Sequence, residues 1–236
     1  MAETGSTNSD LADEARRGVA EGAVLAAEAQ SAGRGRMGRS WVAPPAAALT
    51  FSVLLRPAEV PQARRGWVPL LAGVALALAV RQEAGVDARL KWPNDVQVNG
   101  AKLAGILAEQ ADDAIVVGAG VNVSTRRDEL PVPGATSLAL EGAAVTDRDR
   151  LLAAVLRELE RWYLAWAGSA GDAAESGLAA QYRRLCATLG RQVAVSLPGG
   201  QTVTGEALEI DDMGRLVVGS PAGPVPVSAG DVMHVR

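Results

Sequence analysis

The spacing of hydrophobic and polar positions divides most of the chain into predicted helices and strands. The longest apolar run, Arg65–Glu83, predicts a mostly buried helix that ends at Gly85. Helical spacing also predicts helices at about Asp10–Arg17, Arg148–Ala165 and Glu175–Leu189. Shorter apolar runs bounded by turn residues predict strands at Val24–Ala29, Leu49–Leu55, Ala88–Lys91, Val96–Val98, Ala104–Gln110 and Ala114–Val123.

The pattern changes after Gly190, where short alternating segments are separated by turn residues. The strands predicted there are Gln192–Leu197, Thr202–Ile210, Leu216–Val218 and Pro224–Val227. The 47 residues from position 190 onward suffice for a small β-barrel and are too few for a sandwich. The sequence therefore predicts two domains, at residues 1–189 and 190–236.

Composition excludes several classes of protein. The chain has 236 residues, 48% of them hydrophobic and 21% charged, which is typical of a globular protein. One cysteine cannot form an intramolecular disulfide, and the lone His234 has no partner at metal-ligand spacing. The most apolar run, Val68–Val80, is too short to span a bilayer, and the polar, acidic N-terminus is not a signal peptide. A net charge of −4 argues against non-specific nucleic-acid binding, so we expect a cytoplasmic protein without membrane or nucleic-acid partners.

Lysine is rare in this chain and its positions are unusual. The 23 basic residues include only two lysines, Lys91 and Lys102, and both fall within residues 91–105. A mutation-biased, arginine-rich genome explains the arginine excess. The clustering indicates that this stretch needs an ammonium group that a guanidinium does not replace.

A glycine- and arginine-rich segment, Gly33–Trp41, has no apolar periodicity and is predicted to be a loop. Its glycines let backbone amides approach an anion, and Arg34, Arg36 and Arg39 can neutralise that anion with forked donors. The pattern suits a multiply charged ligand such as a nucleoside triphosphate. The alternative is a solvated flexible loop.

Three further segments carry candidate chemistry. After a predicted strand, Asn94 can orient a ligand and Asp95 can hold Mg²⁺ or act as a base, although a plain turn has the same composition. Lys102 enters an apolar strand, where it faces either solvent or a ligand carboxylate or phosphate. Glycines within the apolar strand at 118–123 suit a flat ring packed on the strand, or else a bulge or close packing. The segment Gly5–Asn8 is either a helix cap or a binder of a small polar ring.

Taken together and in this order, the segments GSTN, GRGRMGRSW, KWPND with KLAGIL, and GAGVNV resemble those of the biotin–protein ligases, also called holocarboxylase synthetases. The resemblance covers essentially the whole chain, and the related lipoyl ligases do not show this Gly/Arg loop. It implies an α/β (α+β) fold, with a mixed-sheet catalytic domain at residues 1–189 and a C-terminal SH3-like barrel at 190–236.

The resemblance also implies a two-step reaction. The carboxylate of biotin attacks the α-phosphate of Mg²⁺-bound ATP, giving biotinyl-5′-AMP and pyrophosphate. A lysine of a biotin carboxyl carrier domain then attacks the mixed anhydride, and AMP leaves. Because the first step brings a carboxylate against a polyanion, the site needs several cations to offset the repulsion.

The residues that match the family's motifs fall into two groups. Those expected to bind biotin are Ser6, Thr7, Asn8, Gln30, Gly33, Arg34, Lys102, Gly118 and Gly120. Those expected nearer to the nucleotide are Arg36, Arg39, Trp41, Asn94, Asp95 and Asn122. Lys102, Arg34, Arg36 and Asp95 form the expected catalytic group, with Asp95 also the expected metal ligand.

Two other functions fit parts of the same pattern. A lipoate or octanoate ligase would share the fold, and a non-catalytic biotin sensor or repressor would share the binding residues. The first motif begins at Gly5, which leaves no room before it for a helix-turn-helix domain, so a repressor is not expected. We expect a monomer or a weak homodimer.

Replacing Lys102 or Arg34 by alanine is expected to weaken formation of the acyl-adenylate sharply, because each change removes a cation that offsets the repulsion between carboxylate and triphosphate. Biotin-dependent release of pyrophosphate from ATP measures the effect. Release close to the wild-type rate in both variants would contradict this assignment of the site.

Overall fold

A helix that is apolar on every side, α2 (Val68–Ala84), forms the centre of the larger sheet's core in the computed structural model, which describes residues 1–235. Pro69 lies in its first turn, where no intrahelical donor is needed, and Gly85 ends it in a left-handed conformation with φ of 72°. A 3₁₀ turn, Gln62–Trp67, precedes it, so the predicted helix begins three residues later than expected. The segment Gln62–Ala84 is long and apolar enough to cross a membrane by composition alone, but here it is a core helix packed on α3 (Arg148–Gly168) and the sheet.

The larger sheet has six strands in the order β2-β4-β8-β7-β6-β5. Their bounds are β2 Val24–Ala27, β4 Ala48–Leu55, β5 Arg89–Lys91, β6 Asp95–Val98, β7 Ala101–Ala111 and β8 Ala114–Asn122. All of its ladders are antiparallel, and the Asn99–Gly100 turn joins β6 to β7 as a tight hairpin. Parallel pairing is found beside this sheet, between β1 (Glu3–Thr4) and β3 (Ala29–Gln30), so the predicted strand Val24–Ala29 is in fact two strands.

Side chains alternate between two different environments along β4 and β8. Phe51 and Val53 point into the core formed with α2 and α3, whereas Leu54 belongs to a smaller cluster under α1 (Thr7–Arg16). The same alternation puts Ser52 and Gly118 on the α1 side. The candidate site lies on this second face, where small and polar residues replace the large apolar ones.

All of the predicted helices are present, but their first and last residues differ from the predicted ones. Helix α1 begins at Thr7, three residues before the predicted start, and α4 spans only Leu178–Leu185. The carboxylate that caps α3 belongs to Asp147, which accepts a hydrogen bond of 2.9 Å from the backbone N–H of Arg150.

The C-terminal part is a five-stranded antiparallel sheet in the order β12-β11-β10-β9-β13. The bounds are β9 Gln192–Ser196, β10 Thr202–Ile210, β11 Leu216–Ser220, β12 Gly223–Val227 and β13 Asp231–His234. Four of these strands were predicted, and the short β13 was missed. The α/β fold with an SH3-like C-terminal part is confirmed, while the domain boundary at residue 190 stays a prediction.

The hairpin between β10 and β11 fastens the small sheet to the larger part of the molecule. Two buried indoles donate to its backbone carbonyls: Trp67 to Asp212 at 3.0 Å and Trp92 to Gly214 at 3.3 Å. Gly66 lies so close to the carbonyl oxygen of Met213 that a β-carbon would collide with it. The hairpin is therefore held by two indole hydrogen bonds and by one close backbone contact.

The variant Gly66→Ala is expected to lower the free energy of unfolding by about 1–3 kcal/mol, because the new methyl group meets rigid backbone. Urea titration measures the change. Gly168→Ala is the matched control, since nothing lies within 4 Å of its added carbon, and it should stay within about 0.5 kcal/mol of the wild type. Equal stability of the two variants would show that the hairpin is not in tight contact with Gly66.

Candidate functional site

A cavity of about 540 Å³ lies on the α1 side of the larger sheet, closed by the Gly/Arg loop and by β13. Every residue that the motifs assigned to the site lines this cavity except Gly33. The assigned residues that line it are Ser6, Thr7, Asn8, Gln30, Arg34, Arg36, Arg39, Trp41, Asn94, Asp95, Lys102, Gly118, Gly120 and Asn122. The structure therefore brings four segments that are distant in sequence to one place.

One end of the cavity is a network of buried polar groups. Ser6 is the N-cap of α1 but makes no capping bond, and the side-chain oxygen of Gln30 accepts from the backbone N–H of Thr7 instead, at 2.7 Å. The hydroxyl of Ser52, which is fully buried, lies 2.7 Å from the Thr7 hydroxyl and 2.6 Å from the side-chain oxygen of Asn8. This end can hydrogen-bond a small polar ring from several directions.

Glycine at position 118 makes room for a side chain of the protein itself. A β-carbon there would overlap the amide group of Asn8, which donates to the backbone carbonyl of Leu107 at 3.2 Å and to Glu109 at 2.9 Å. The other oxygen of Glu109 pairs with Arg34 at 2.7 Å. Gly118 thus acts through Asn8, rather than by receiving a flat ring directly as the sequence suggested.

Trp41 lies over a flat area in the middle of the cavity. Gly120 and Gly105 are cross-strand partners on β8 and β7, and a β-carbon at Gly120 would overlap the indole ring. At Gly105 a β-carbon would be in van der Waals contact with both Trp41 and Lys102. The indole N–H of Trp41 is buried without a hydrogen-bond partner in the described part of the chain. Two facing glycines therefore provide the flat surface that an aromatic ring needs.

The Gly/Arg loop folds back on itself as a narrow hairpin. The N–H of Trp41 donates to the carbonyl of Gly33 at 2.9 Å, and the tip turns through left-handed conformations at Met37 and Gly38. A β-carbon at Gly33 would overlap the Trp41 carbonyl. Gly33 does not line the cavity, because this glycine permits close approach of the two limbs of the loop, and its contact with biotin stays a prediction.

The arginines of the loop reach across to both sheets. Arg36 donates to the side-chain oxygen of Asn94 at 3.0 Å, and burial lowers the pKa of its guanidinium. Arg39 forms a two-pronged ion pair with Asp231 on β13. The loop that closes the cavity is therefore attached to the small sheet.

The two lysines lie at the cationic end of the cavity. Lys102 forms an ion pair of 2.7 Å with Asp95, and its own backbone groups bond to Gly134 and Thr136 at 2.8 Å each. Lys91 is half-buried, and burial lowers the pKa of its ammonium, an effect that Asp95 opposes. This end is suited to an anionic group.

The same contacts fix the far wall of the cavity. Asn122 is 4% exposed and donates to the carbonyl of Thr136 at 2.9 Å, which holds the segment around Ala135 against β8. Along its length the cavity thus offers a polar end, a flat aromatic middle and a cationic end. A ligand that fits it has a polar ring joined to an anionic group.

Comparison with known proteins supports this interpretation. Residues 4–124 match the model of the biotin/lipoate A/B protein ligase family, and residues 188–235 match the biotin protein ligase C-terminal domain. The chain is 46% identical to the biotin–[acetyl-CoA-carboxylase] ligase of Mycobacterium tuberculosis, over its whole length and 88% of that protein. The chain belongs to the biotin protein ligase family.

Two further comparisons cover nearly the full length of this family member. It is 34% identical to the biotin–[acetyl-CoA-carboxylase] ligase of Paracoccus denitrificans, over 98% of each chain. Its fold matches the Aquifex aeolicus biotin protein ligase solved with biotin and ATP, with a TM-score of 0.82 and 27% identity over 100% of this chain and 97% of that one.

Three residues that contact the candidate site residues were not predicted from the sequence. Ser52 stood out only as a polar residue in an apolar strand, and Glu109 only as a charge at the end of one. Asp231 lies more than 190 positions from its partner Arg39, and no local pattern connects the two. Long-range pairing of this kind is not visible in a single sequence.

Metal-ligand groups are few in the part of the chain that the structure describes. Among residues 1–235, no cluster of three His, Cys, Asp or Glu side chains could hold an ion by itself. Asp95 offers a carboxylate on the cavity wall, whereas the side-chain oxygen of the neighbouring Asn94 already accepts from Arg36. One carboxylate suits Mg²⁺, which binds one or two protein oxygens together with substrate phosphates.

The variant Ser52→Ala is expected to lower the free energy of unfolding by about 1–3 kcal/mol, because it leaves the buried oxygen of Asn8 without its donor. Thermal and urea unfolding measure the change. Ser169→Ala, which loses a bond to Ala165 at the exposed end of α3, should change stability by less than about 0.5 kcal/mol. If Ser52→Ala were as stable as this control, the hydrogen bond between Ser52 and Asn8 would not contribute to the stability of the fold.

Proposed function

We propose that this chain is a biotin–protein ligase in the full sense: it activates biotin with ATP and transfers it to a lysine of a biotin carboxyl carrier domain. The observation that carries the proposal is the order of chemistry along one cavity. The buried polar groups around Thr7 suit the ureido ring of biotin, and the cations around Lys102 suit its carboxylate beside the phosphates. The names of the related ligases agree with this assignment.

In the first step, an oxygen of the biotin carboxylate attacks the α-phosphorus of ATP. The bond from that phosphorus to the β-phosphate oxygen breaks, and pyrophosphate leaves with the electron pair. Lys102, Arg34, Arg36 and Arg39 offset the repulsion between the two anions, because all four lie on the wall of the same cavity. For Lys102 this means exchanging part of its contact with Asp95 for the ligand.

In the second step, the amine of the carrier lysine attacks the acyl carbon, and AMP leaves. Asp95 is positioned to accept the proton that the amine loses, since the arrival of a ligand on Lys102 frees its carboxylate. Trp41 and the hairpin loop cover the reacting group and keep water from the anhydride. Trp41 and Asn122 are the proposed adenine contacts.

Mg²⁺ is part of the proposal. In the first step Asp95 would hold it together with the phosphates, and the ion would supply positive charge to the triphosphate. The carrier is proposed to be a domain of an acyl-CoA carboxylase. The proposed location is the cytoplasm, where a chain with one free cysteine, Cys186, stays reduced.

Incubation of the purified chain with ATP, Mg²⁺, biotin and a purified carrier domain tests the function. Intact-mass spectrometry should show the addition of one biotinyl group, with AMP formed in equal amount. A carrier whose acceptor lysine is changed to arginine is the control and should stay unlabelled.

Parallel reactions with lipoate and octanoate separate the main alternative. Because the polar end of the cavity is hydrogen-bonding rather than apolar, neither acid should replace biotin. Transfer of lipoate with no transfer of biotin would overturn the proposed substrate.

A further inference from the structure

A second cavity, of about 360 Å³, adjoins the catalytic cavity on the far side of Lys91. Lys91 lines both cavities, so its side chain separates them. Arg89 on β5 lines the second cavity from the larger sheet, while Arg191 and His234 line it from the small sheet. Both parts of the protein therefore contribute to it.

The arrangement follows from the register of the edge strands. Arg89 and Lys91 alternate onto the same face of β5, opposite Gln97 and Asp95 of β6. Asp95 in turn pairs with Lys102. A row of charged groups thus runs from the catalytic lysine to the open edge of the sheet, and the second cavity is the outer end of that row.

Positive charge exceeds negative charge in this second cavity. Its one carboxylate, Asp87, already pairs with Arg89 at 3.0 Å and with Arg81. Within residues 1–235, neither Lys91 nor Arg191 has a carboxylate oxygen within 4 Å. By contrast, Lys102 in the catalytic cavity is paired.

The lowered pKa of His234 agrees with this excess of positive charge. Burial lowers the pKa of its imidazole, and the charges of Lys91 and Arg191 lower it further. The Nε2 atom lies 3.4 Å from the hydroxyl of Thr188. A compact anion placed here would meet two unpaired cations, one polar ring and the side-chain amide of Gln97, while the amide of Asn99 already donates to Glu141 at 2.8 Å.

We propose that this second cavity is a diphosphate site that receives the pyrophosphate released in the first step. The inference rests on the proposed function, which supplies pyrophosphate next to Lys102 and Asp95. The small volume and the excess of positive charge favour a compact polyanion over a peptide segment. The proposed route away from the anhydride passes Lys91, which lines both cavities.

The test uses the full chain with the catalytic cavity occupied. A biotinyl-adenylate analogue whose acyl carbonyl is reduced to CH₂ fills that cavity and cannot be cleaved by pyrophosphate. Inorganic pyrophosphate is then titrated into the loaded protein by calorimetry. The wild type should bind it, and Arg191→Gln should bind it about tenfold more weakly, as expected for the loss of one charge-assisted contact.

Three variants control this comparison. Arg191→Lys keeps the charge but loses the forked donors of the guanidinium, so its affinity should lie between those of the wild type and Arg191→Gln. His234→Gln, which removes a second wall group, should weaken binding on its own. Arg183→Gln removes an exposed arginine of α4 that lines neither cavity and should leave binding unchanged.

Binding that is unchanged in both Arg191→Gln and His234→Gln would overturn the site. A raised KM for ATP in Arg191→Gln, with unchanged pyrophosphate binding, would also overturn it, since the cavity would then hold the terminal phosphates of uncleaved ATP. Biotin-dependent ATP consumption by the wild type is measured on the same preparation. If the wild type consumed no ATP in the presence of biotin, the proposed function itself would be overturned. If it consumed ATP normally and either of the two results above were obtained, only the pyrophosphate site would be overturned.

Discussion

Repulsion between the cations that surround one cavity is the constraint on which the rest of the site depends. Five of them line its wall, and three are neutralised by carboxylates from three different strands: Glu109 on β7, Asp95 on β6 and Asp231 on β13. The last of these belongs to the small sheet, so the charge balance of the larger cavity requires both sheets to be in place. Trp67 and Trp92 donate to the hairpin that secures this arrangement. Trp92 belongs to the KWPND segment, so this motif contains a residue that stabilises the fold as well as residues that line the cavity.

The larger sheet has two faces with different tasks. Large apolar residues pack on α2, while the opposite face carries a smaller apolar cluster under α1 and, at the cavity, small and polar residues. The strict alternation of β-strands makes this possible within single strands such as β4. The facing pair Gly105 and Gly120 provides a flat floor for Trp41. A strand that loses side chains in this way is weaker, and the packing of α2 on the other face compensates for that loss.

Much of the fold could be predicted because its signals are local. The apolar run of α2 with its glycine end, the Asn99–Gly100 hairpin and the bounds of β10 all follow from neighbouring residues. The errors arise where a distant partner decides. Helix α1 starts early because Gln30, on β3, accepts from the first backbone N–H, and β13 is a strand because β9 is beside it. For the candidate site, the motif residues other than Gly33 line one cavity, but Ser52, Glu109 and Asp231 were not predicted, since each contacts a residue far away in sequence.

By itself, the sequence determined the family, the elements and the chemical groups of the site, because these depend on residue type and short spacing. Tertiary structure alone decided which groups are paired. It placed Asn8 rather than a ligand ring against Gly118, joined Arg39 to the small sheet, and left Lys91 without a carboxylate within 4 Å among residues 1–235 while Lys102 has one. The physical reason is that ion pairing and burial depend on distance in space. Lys91 and Lys102 are the same type of residue and only eleven positions apart, and yet they lie in different electrostatic environments.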